Sequence, residues 1–264
     1  MIFKTKKPIM AAIMLEGEYS SHAGKMQALS KAMQQLKIVK EEGVDSILYE
    51  FRGGDIMTPP ISESNFSGMV EIMKTVIAAA EGITVGVEIL WHFPHETLRL
   101  AQMSGAKFVR LDFFSDEMIA DGIQVPIAPR ELMAYKKSIG AEDVLLLTDI
   151  QVKYADMIDP SITMTSSATR AESLGSHAVV VSGKASGSSP GQERVHQARN
   201  GVDQAKVVIG SGMDYRNAPA LLEYADGAIV GTSISTETGG VLVPYKVRRL
   251  MKVINKIRNN PYLN

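Results

Sequence analysis

Charged side chains stand at or near the end of most apolar runs in this 264-residue chain. Five are carboxylates and three are cations: Glu16, Glu50, Glu88, Asp112, Asp149, Arg110, Lys153 and Lys184. Burying a carboxylate is costly unless it is paired or functional, and several converging acids are a poor way to gain stability. In such a cluster, nearby cations lower the pKa of some carboxyl groups and neighbouring acids raise the pKa of others. General acid–base chemistry needs carboxyl groups whose pKa values differ in this way. The pattern predicts a catalytic cluster led by Asp149 and Arg110.

Three features of this cluster stay open at the level of sequence. Glu88 lies inside an apolar run, where a slip of one residue would turn it away from the other acids. A Schiff base at Lys153 or Lys184 is a further option. Oxygen ligands would suit a divalent metal such as magnesium, but no spacing is specific for a metal.

Other polar side chains fall in the loops that follow the same runs. His22, Arg52, Asp55 and His92 follow the first three runs, and Lys184 follows the sixth. Because binding residues gather on loops held by a rigid scaffold, we expect these five to line the substrate pocket.

Two glycine turns near the end of the chain point to an anion. Each follows an apolar run, at 207–209 and at 228–230. Glycine lets backbone N–H groups approach a ligand closely, and tandem turns of this kind cradle phosphate in α/β barrels. The alternative is two ordinary turns. The predicted phosphate-binding residues, including two from the sixth run's end, are Ser182, Gly183, Gly210, Ser211, Gly212, Gly231, Thr232 and Ser233.

These residues require a scaffold that brings strand ends together. Eight apolar runs recur about every 30 residues, the length of one βα unit: 9–15, 44–49, 84–90, 108–111, 144–147, 178–181, 207–209 and 228–230. Amphipathic segments separate them, and no GxGxxG follows the first run. The pattern predicts one α/β domain over 1–264, a single (β/α)8 TIM barrel with a phosphate site after strands seven and eight.

Composition limits the partners and the location. The net charge of −1 gives no basic surface for nucleic acid, and the absence of cysteine excludes disulfides and thiolate chemistry. No run reaches membrane-spanning length, and the basic start of the chain lacks a cleavage signal, so we expect a cytoplasmic protein. Methionine-rich helices are compatible with a homo-oligomer.

Seven stretches resemble the BtpA family over nearly the whole chain. They are AVVVSGKASGSSP, VIGSGM, EYADGAIVGTSIS, SILYEFRGGD, GVEILWHF, FVRLDFF and LLTDIQVKYAD. Positions that agree with the family pattern are Glu50, Asp55, Arg110, Asp149, Lys153, Ser182, Gly183, Gly210, Ser211, Gly212, Gly231 and Thr232. The resemblance implies a phosphate-binding TIM barrel. One member of the family is associated with photosystem I biogenesis, and others resemble components of sugar-utilisation operons.

The chain departs from the family pattern around the expected pocket. Trp91-His92-Phe93 replaces Arg-Asn-Asp, and two acids, Glu88 and Asp112, replace asparagines. Gln151 and Tyr154 replace histidines that flank the family's lysine. Two hypotheses follow: an enzyme acting on a small phosphorylated metabolite, by isomerisation, epimerisation, aldol cleavage or metal-assisted hydrolysis, or a non-catalytic assembly or regulatory factor that keeps the barrel.

Overall fold

The computed structural model of the chain describes residues 5–52, 61–236 and 240–260. Its strands, in chain order, are β1 (Ile9–Leu15), β2 (Ser46–Arg52), β3 (Thr84–Leu90), β4 (Phe108–Leu111), β5 (Met118–Ala120), β6 (Ile123–Gln124), β7 (Leu145–Ile150), β8 (Asp156–Met157), β9 (Ala178–Val181), β10 (Lys206–Ile209) and β11 (Gly227–Val230). Eight of them close into a parallel barrel in the order β1-β11-β10-β9-β7-β4-β3-β2. The predicted TIM barrel is confirmed, and each barrel strand lies within a few residues of its predicted run.

Helices follow the barrel strands in alternation. They are α1 (His22–Glu41), α2 (Glu63–Ala79), α3 (Pro94–Ser104), α4 (Pro129–Ser138), α5 (Met164–Ser173), α6 (Gln192–Arg199), α7 (Ala218–Tyr224) and α8 (Pro244–Arg258), with a 3-10 helix at Thr232–Ile234. The first helix begins at His22 because the Ser21 side chain accepts the N–H of Gly24 and caps it. Helices α3 and α4 start at a proline, whose missing N–H costs nothing in a first turn.

A small antiparallel sheet that the sequence did not predict covers part of the barrel mouth. It pairs β6, β5 and β8, in the loops after β4 and β7. Its strands are two or three residues long, too short for an alternating pattern to show. The sheet has its own apolar cluster, which includes Phe113, Met118 and Val152, so the loops that carry residues of the mouth are packed rather than loose.

Alternation along the strands places the site directly above the barrel core. The interior is filled by an apolar layer: Met10, Leu48, Phe108, Leu147, Ala178, Val180, Val208 and Ile229. Side chains two residues apart on a strand point to the same side. Two residues beyond members of this layer stand Glu50, Arg110, Asp149, Ser182, Gly210 and Gly231. The apolar layer therefore becomes a polar layer at the carboxyl end of the barrel.

The pairing of β2 with β3 settles the orientation of Glu88. Glu88 lies opposite Glu50 in the register of these strands, so both side chains point into the barrel.

No helix within the described ranges is long and apolar enough to cross a membrane.

Candidate active site

A cavity of about 780 Å³ opens at the carboxyl ends of the barrel strands. It is lined by the glycine turns at 210–212 and 231–233, and also by Glu50, Arg110, Asp112 and Lys153. The two groups of residues that the sequence singled out for different reasons thus face one space. This is the end of the barrel where TIM-barrel enzymes carry their active sites.

The chain's own packing explains the glycines of the first turn. A Cβ atom on Gly212, which has φ +73°, would lie 2.1 Å from the carbonyl oxygen of Ser188. One on Gly183 would lie equally close to that oxygen, 2.1 Å away, and one on Gly210 would lie 2.4 Å from Ser182 Oγ. The loop after β9 therefore folds tightly over this turn. Ser211 joins the two loops, because its Oγ accepts the Gly183 N–H at 3.2 Å.

The second turn is different, because its glycine faces the cavity. A Cβ atom on Gly231 would make only ordinary contacts, the nearest at 3.7 Å with Ala12. In the 3-10 helix that follows, the first backbone hydrogen bond is donated by the Ile234 N–H to the Gly231 carbonyl. The N–H groups of residues 231–233 therefore come before the first hydrogen bond of this helix, as at any helix N-terminus. Ser233 Oγ donates to the Met213 carbonyl at 2.7 Å and ties the two turns together.

Arg110 lies at the centre of the acid cluster. Its guanidinium makes two hydrogen bonds to Asp149, at 2.8 and 2.9 Å. It also lies 3.5 Å from Glu50, 3.9 Å from Glu88 and 3.9 Å from Asp112. The Arg110 side chain is 3% exposed. One buried cation therefore faces four carboxylates, and its charge cannot neutralise all of them.

Burial opposes the negative charge of two of these acids. Burial raises the pKa of Asp112 to about 6, although Arg110 beside it acts in the opposite direction. Burial and the nearby Asp112 raise the pKa of Glu88 well above its ordinary value. Neither oxygen of Glu88 makes a hydrogen bond within the described part of the chain. Glu88 is therefore the acid of the cluster whose protonated form burial favours, and Asp112 titrates at about pH 6.

Both carboxylate oxygens of Asp149 are used in hydrogen bonds to neighbouring side chains. Both its oxygens accept hydrogen bonds from Arg110, and Oδ1 also accepts from Ser182 Oγ at 3.1 Å. Its side chain is fully buried and does not border the cavity. Asp149 therefore positions Arg110, whereas Asp112 is the buried acid that reaches the cavity wall.

Several predicted pocket residues lie elsewhere. Glu16 and Arg52 form an exposed ion pair at 3.5 Å, and neither is among the described cavity residues. His22 and Lys184 are exposed and do not border the cavity either. Asp55 lies outside the described residues. The structure thus leaves Glu16, predicted for the catalytic cluster, and His22, Arg52 and Lys184, predicted for the pocket, outside this cavity. Glu16, His22 and Lys184 lie beyond the ends of their strands, where alternation no longer orients the side chain, whereas Arg52 is the last residue of β2.

His92 belongs to a separate cleft. Its Nε2 lies 2.6 Å from the Pro126 carbonyl oxygen, and burial lowers the pKa of its imidazole. With Phe93 it borders a cavity of about 400 Å³ beside the starts of α3 and α4. The neighbouring Trp91, by contrast, lines the main cavity.

The sequence missed an aromatic wall in the main cavity. Its members are Trp91, Phe113 and Tyr154. Trp91 and Tyr154 pack edge to face, with ring centroids 6.2 Å apart. Only the departure from the family pattern at Trp91 and Tyr154 marked these positions in advance.

An ion pair at the rim was missed as well. Arg216 and Asp214 line the cavity and pair at 2.6 Å.

Within the described ranges, no group of three or more histidine, aspartate or glutamate side chains is arranged to hold a metal ion.

Comparisons with known proteins place this geometry in a family. The sequence profile of the BtpA family matches residues 5–258. A similar curated protein is the photosystem I biogenesis protein BtpA of Synechocystis, 28% identical over 240 residues, which cover 88% of this chain and 82% of that protein.

Solved structures of similar fold have low sequence identity. Phosphoribosyl anthranilate isomerase from Thermus thermophilus has a TM-score of 0.60 and 12% identity, with 95% of this chain and 99% of that chain covered. (S)-3-O-geranylgeranylglyceryl phosphate synthase from Thermoplasma acidophilum has a TM-score of 0.59 and 18% identity, with 95% and 94% covered. At these identities the comparisons support the barrel fold.

Proposed function

The chain belongs to the BtpA family, and from this premise we propose that it is an enzyme acting on a small phosphorylated metabolite, such as a sugar phosphate. One observation carries the proposal: two glycine turns and the buried acid Asp112 line the same cavity. The first feature suits an anion and the second suits proton transfer beside it.

The phosphate would bind between the turns after β10 and β11. Backbone N–H groups at 211–212 and 231–233, which line the cavity, would be the donors, and Gly231 leaves room for a close approach. The fold neighbours support a ligand of this class, since the phosphate synthase from Thermoplasma acidophilum is described in complex with substrate sn-glycerol-1-phosphate. A cytoplasmic location and a homo-oligomer remain predictions.

Asp112 is the proposed general acid–base residue. A pKa of about 6 keeps it available in both protonation states near neutral pH, where proton transfer is most efficient. Lys153 lines the same cavity and would stabilise negative charge that develops on the substrate. Arg110, held by Asp149, keeps the Asp112 carboxylate from being neutralised outright.

These roles favour reactions that pass through an enolate or enediolate. Isomerisation and epimerisation of a sugar phosphate reach it by removing a proton from the carbon next to a carbonyl, whereas aldol cleavage removes the proton of the β-hydroxyl group and leaves the enolate as the C–C bond breaks. Each leaves negative charge on an oxygen, for which a nearby ammonium group is a suitable partner.

A non-catalytic assembly factor is the second candidate, because the Synechocystis relative is named a photosystem I biogenesis protein. Under this function the barrel and its anion site would be retained, and proton transfer by Asp112 would have no role. Measurements of binding and of proton exchange separate the two candidates.

Thermal unfolding tests the anion site. Inorganic phosphate, glycerol 3-phosphate and ribose 5-phosphate should each raise the melting temperature in proportion to their saturation of the site, and unphosphorylated ribose should not. Equal melting temperatures with all of these compounds would contradict the proposal.

Solvent exchange tests the chemistry without knowledge of the reaction. The protein is incubated in D2O with a panel of aldose and ketose phosphates, and carbon-bound deuterium is measured by NMR. We expect exchange with the wild type and its loss in Asp112→Asn. The matched control is Asp143→Asn, an exposed carboxylate just ahead of β7 at the other end of the barrel. Equal exchange in Asp112→Asn and wild type would remove Asp112 from the mechanism.

A further inference from the structure

The cavity contains a second recognition surface, and we propose that it binds a flat aromatic or heteroaromatic ring of the ligand. The substrate class is then a phosphate ester that also carries a ring, and nucleoside 5′-monophosphates, whose ribose has no free carbonyl group, serve as unreactive binding probes for it. This inference rests on the proposed function, since it assumes that the phosphate lies at the glycine turns.

The strand order places the two surfaces across the mouth from each other. In a closed ring of eight strands, β4 stands four positions from β11, and β3 stands four positions from β10. Trp91 follows β3 and Phe113 comes soon after β4, whereas the glycine turns follow β10 and β11. A ligand held by its phosphate at the turns therefore extends towards the aromatic side chains.

The aromatic surface is held in place before any ligand binds. Tyr154 contacts Trp91 edge to face, with an angle of 68° between the ring planes. The Tyr154 hydroxyl accepts the N–H of Ser186 at 2.7 Å. Ser186 and Gly187 border the cavity too, and a Cβ atom on Gly187 would lie 3.6 Å from Thr232. Contacts from Trp91 through Tyr154 to Ser186 thus join the loops after β3, β7 and β9 along the cavity.

The size of the cavity fits such a ligand. At about 780 Å³ it lies within the range of pockets that enclose drug-sized molecules. A phosphate with a short sugar would leave the aromatic side chains in contact with water, although Tyr154 is already 52% exposed. Aromatic surface that faces solvent inside a cavity is typical of a ligand-binding wall.

The reactive groups lie beside the aromatic surface. Asp112 directly precedes Phe113 and Lys153 directly precedes Tyr154, and all four residues line the cavity. The reacting carbon would accordingly be in the part of the ligand next to the ring.

Fluorescence gives a direct test, because Trp91 is the only tryptophan of the chain. The full-length protein is excited at the red edge of tryptophan absorption and titrated with the four common nucleoside 5′-monophosphates, phenyl phosphate and ribose 5-phosphate. Stacking should quench Trp91 with at least one ring-bearing probe and leave it unchanged with ribose 5-phosphate. The same probe should bind roughly tenfold more tightly than ribose 5-phosphate by calorimetry, and inorganic phosphate should compete with it.

Variants separate stacking from folding. Trp91→Leu should lose the tenfold preference and still bind inorganic phosphate, whereas Trp91→Phe, which keeps a ring, should retain most of the preference. The matched control is Tyr245→Leu, an exposed tyrosine on α8 away from the cavity, which should bind as the wild type does.

The two proposals fail in different ways. If inorganic phosphate binds but no ring-bearing probe binds more tightly than ribose 5-phosphate, the aromatic inference is wrong and the proposed function stands. If inorganic phosphate does not bind to the wild type, both are wrong.

Discussion

The half of the barrel mouth formed by β10 and β11 carries glycines and hydroxyl side chains, whereas the half formed by β2, β3, β4 and β7 carries four carboxylates around one arginine. In the first half, most of the unusual residues are required by the chain's own packing. Gly212 leaves room for Ser188, and Gly210 leaves room for Ser182. Gly231 is the exception, since it faces the cavity.

The charged half follows a different rule. Its acids lower stability when ionised, because burial opposes their charge and one guanidinium serves all four. Packing does not require Asp112 or Glu88 to be acids. Residues that packing does not require, and that lower the stability of the fold, are the strongest indication of function in this molecule.

Arg110→Met makes the largest test of the charged half. Arg110 pairs with all four acids, so its removal leaves buried carboxylates without this partner, and the free energy of unfolding should fall by about 3–5 kcal/mol. Denaturant unfolding measures it. The control is Arg216→Met, whose ion pair is 74% exposed on the arginine side and should change stability by less than about 1 kcal/mol. Equal effects of the two substitutions would contradict the contrast between the halves.

The pH dependence of stability tests the state of Asp112. Its native pKa is about 6, and an ordinary aspartate has a pKa of about 3.9. Between these values the native state holds more protons than the unfolded state, so raising the pH lowers the free energy of unfolding, by roughly 2–3 kcal/mol in total. Asp112→Asn removes that loss.

Urea unfolding from pH 4 to pH 8 measures this effect. The stability of Asp112→Asn relative to the wild type should rise with pH and level off above about pH 6, the native pKa. The exposed control Asp143→Asn should show no such rise. A difference that stays constant with pH would mean that Asp112 has an ordinary pKa.

Two glycine substitutions sharpen the comparison within the first half. Gly212→Ala puts a side chain at φ +73° against Ser188 and should cost about 1–3 kcal/mol of stability. Gly231→Ala meets only ordinary contacts and should cost less than about 1 kcal/mol, but it should weaken phosphate binding because the methyl group projects into the anion site. Thermal unfolding with and without phosphate measures both. Unchanged phosphate affinity in Gly231→Ala would show that the second turn does not hold the anion.

Glu16→Gln gives the smallest expected effect. The Glu16–Arg52 pair is exposed on both sides at 3.5 Å, so its loss should change the free energy of unfolding by less than about 0.5 kcal/mol. The phosphate-induced rise in melting temperature should match that of the wild type. A large loss of phosphate binding in Glu16→Gln would show that Glu16 contributes to the anion site.

Most of the fold was predictable, and the site only in part. The βα repeat and alternation within strands led to the barrel, to the glycine turns and to the pairing of Arg110 with the acids. Glu88 could not be oriented from its own strand, because its direction depends on the register with β2. Glu16 and Lys184 lie outside the cavity, because the strand ends before each of them, at Leu15 and at Val181.

The aromatic wall and the small sheet lay beyond the reach of the sequence pattern. Trp91, Phe113 and Tyr154 come from three different loops, which only the closed barrel brings to one cavity. The sequence also did not show that Asp149 is the carboxylate that accepts the hydrogen bonds of Arg110, because several acids follow neighbouring strands.

Backbone amide shifts test the central claim most directly. The claim is that the two glycine turns bind an anion in the cavity that Asp112 lines. When uniformly 15N-labelled protein is titrated with inorganic phosphate, the amide signals of Ser211, Gly212, Gly231, Thr232 and Ser233 should move together and saturate at one affinity. Saturable shifts confined to other parts of the chain, or no shifts at all, would contradict the account.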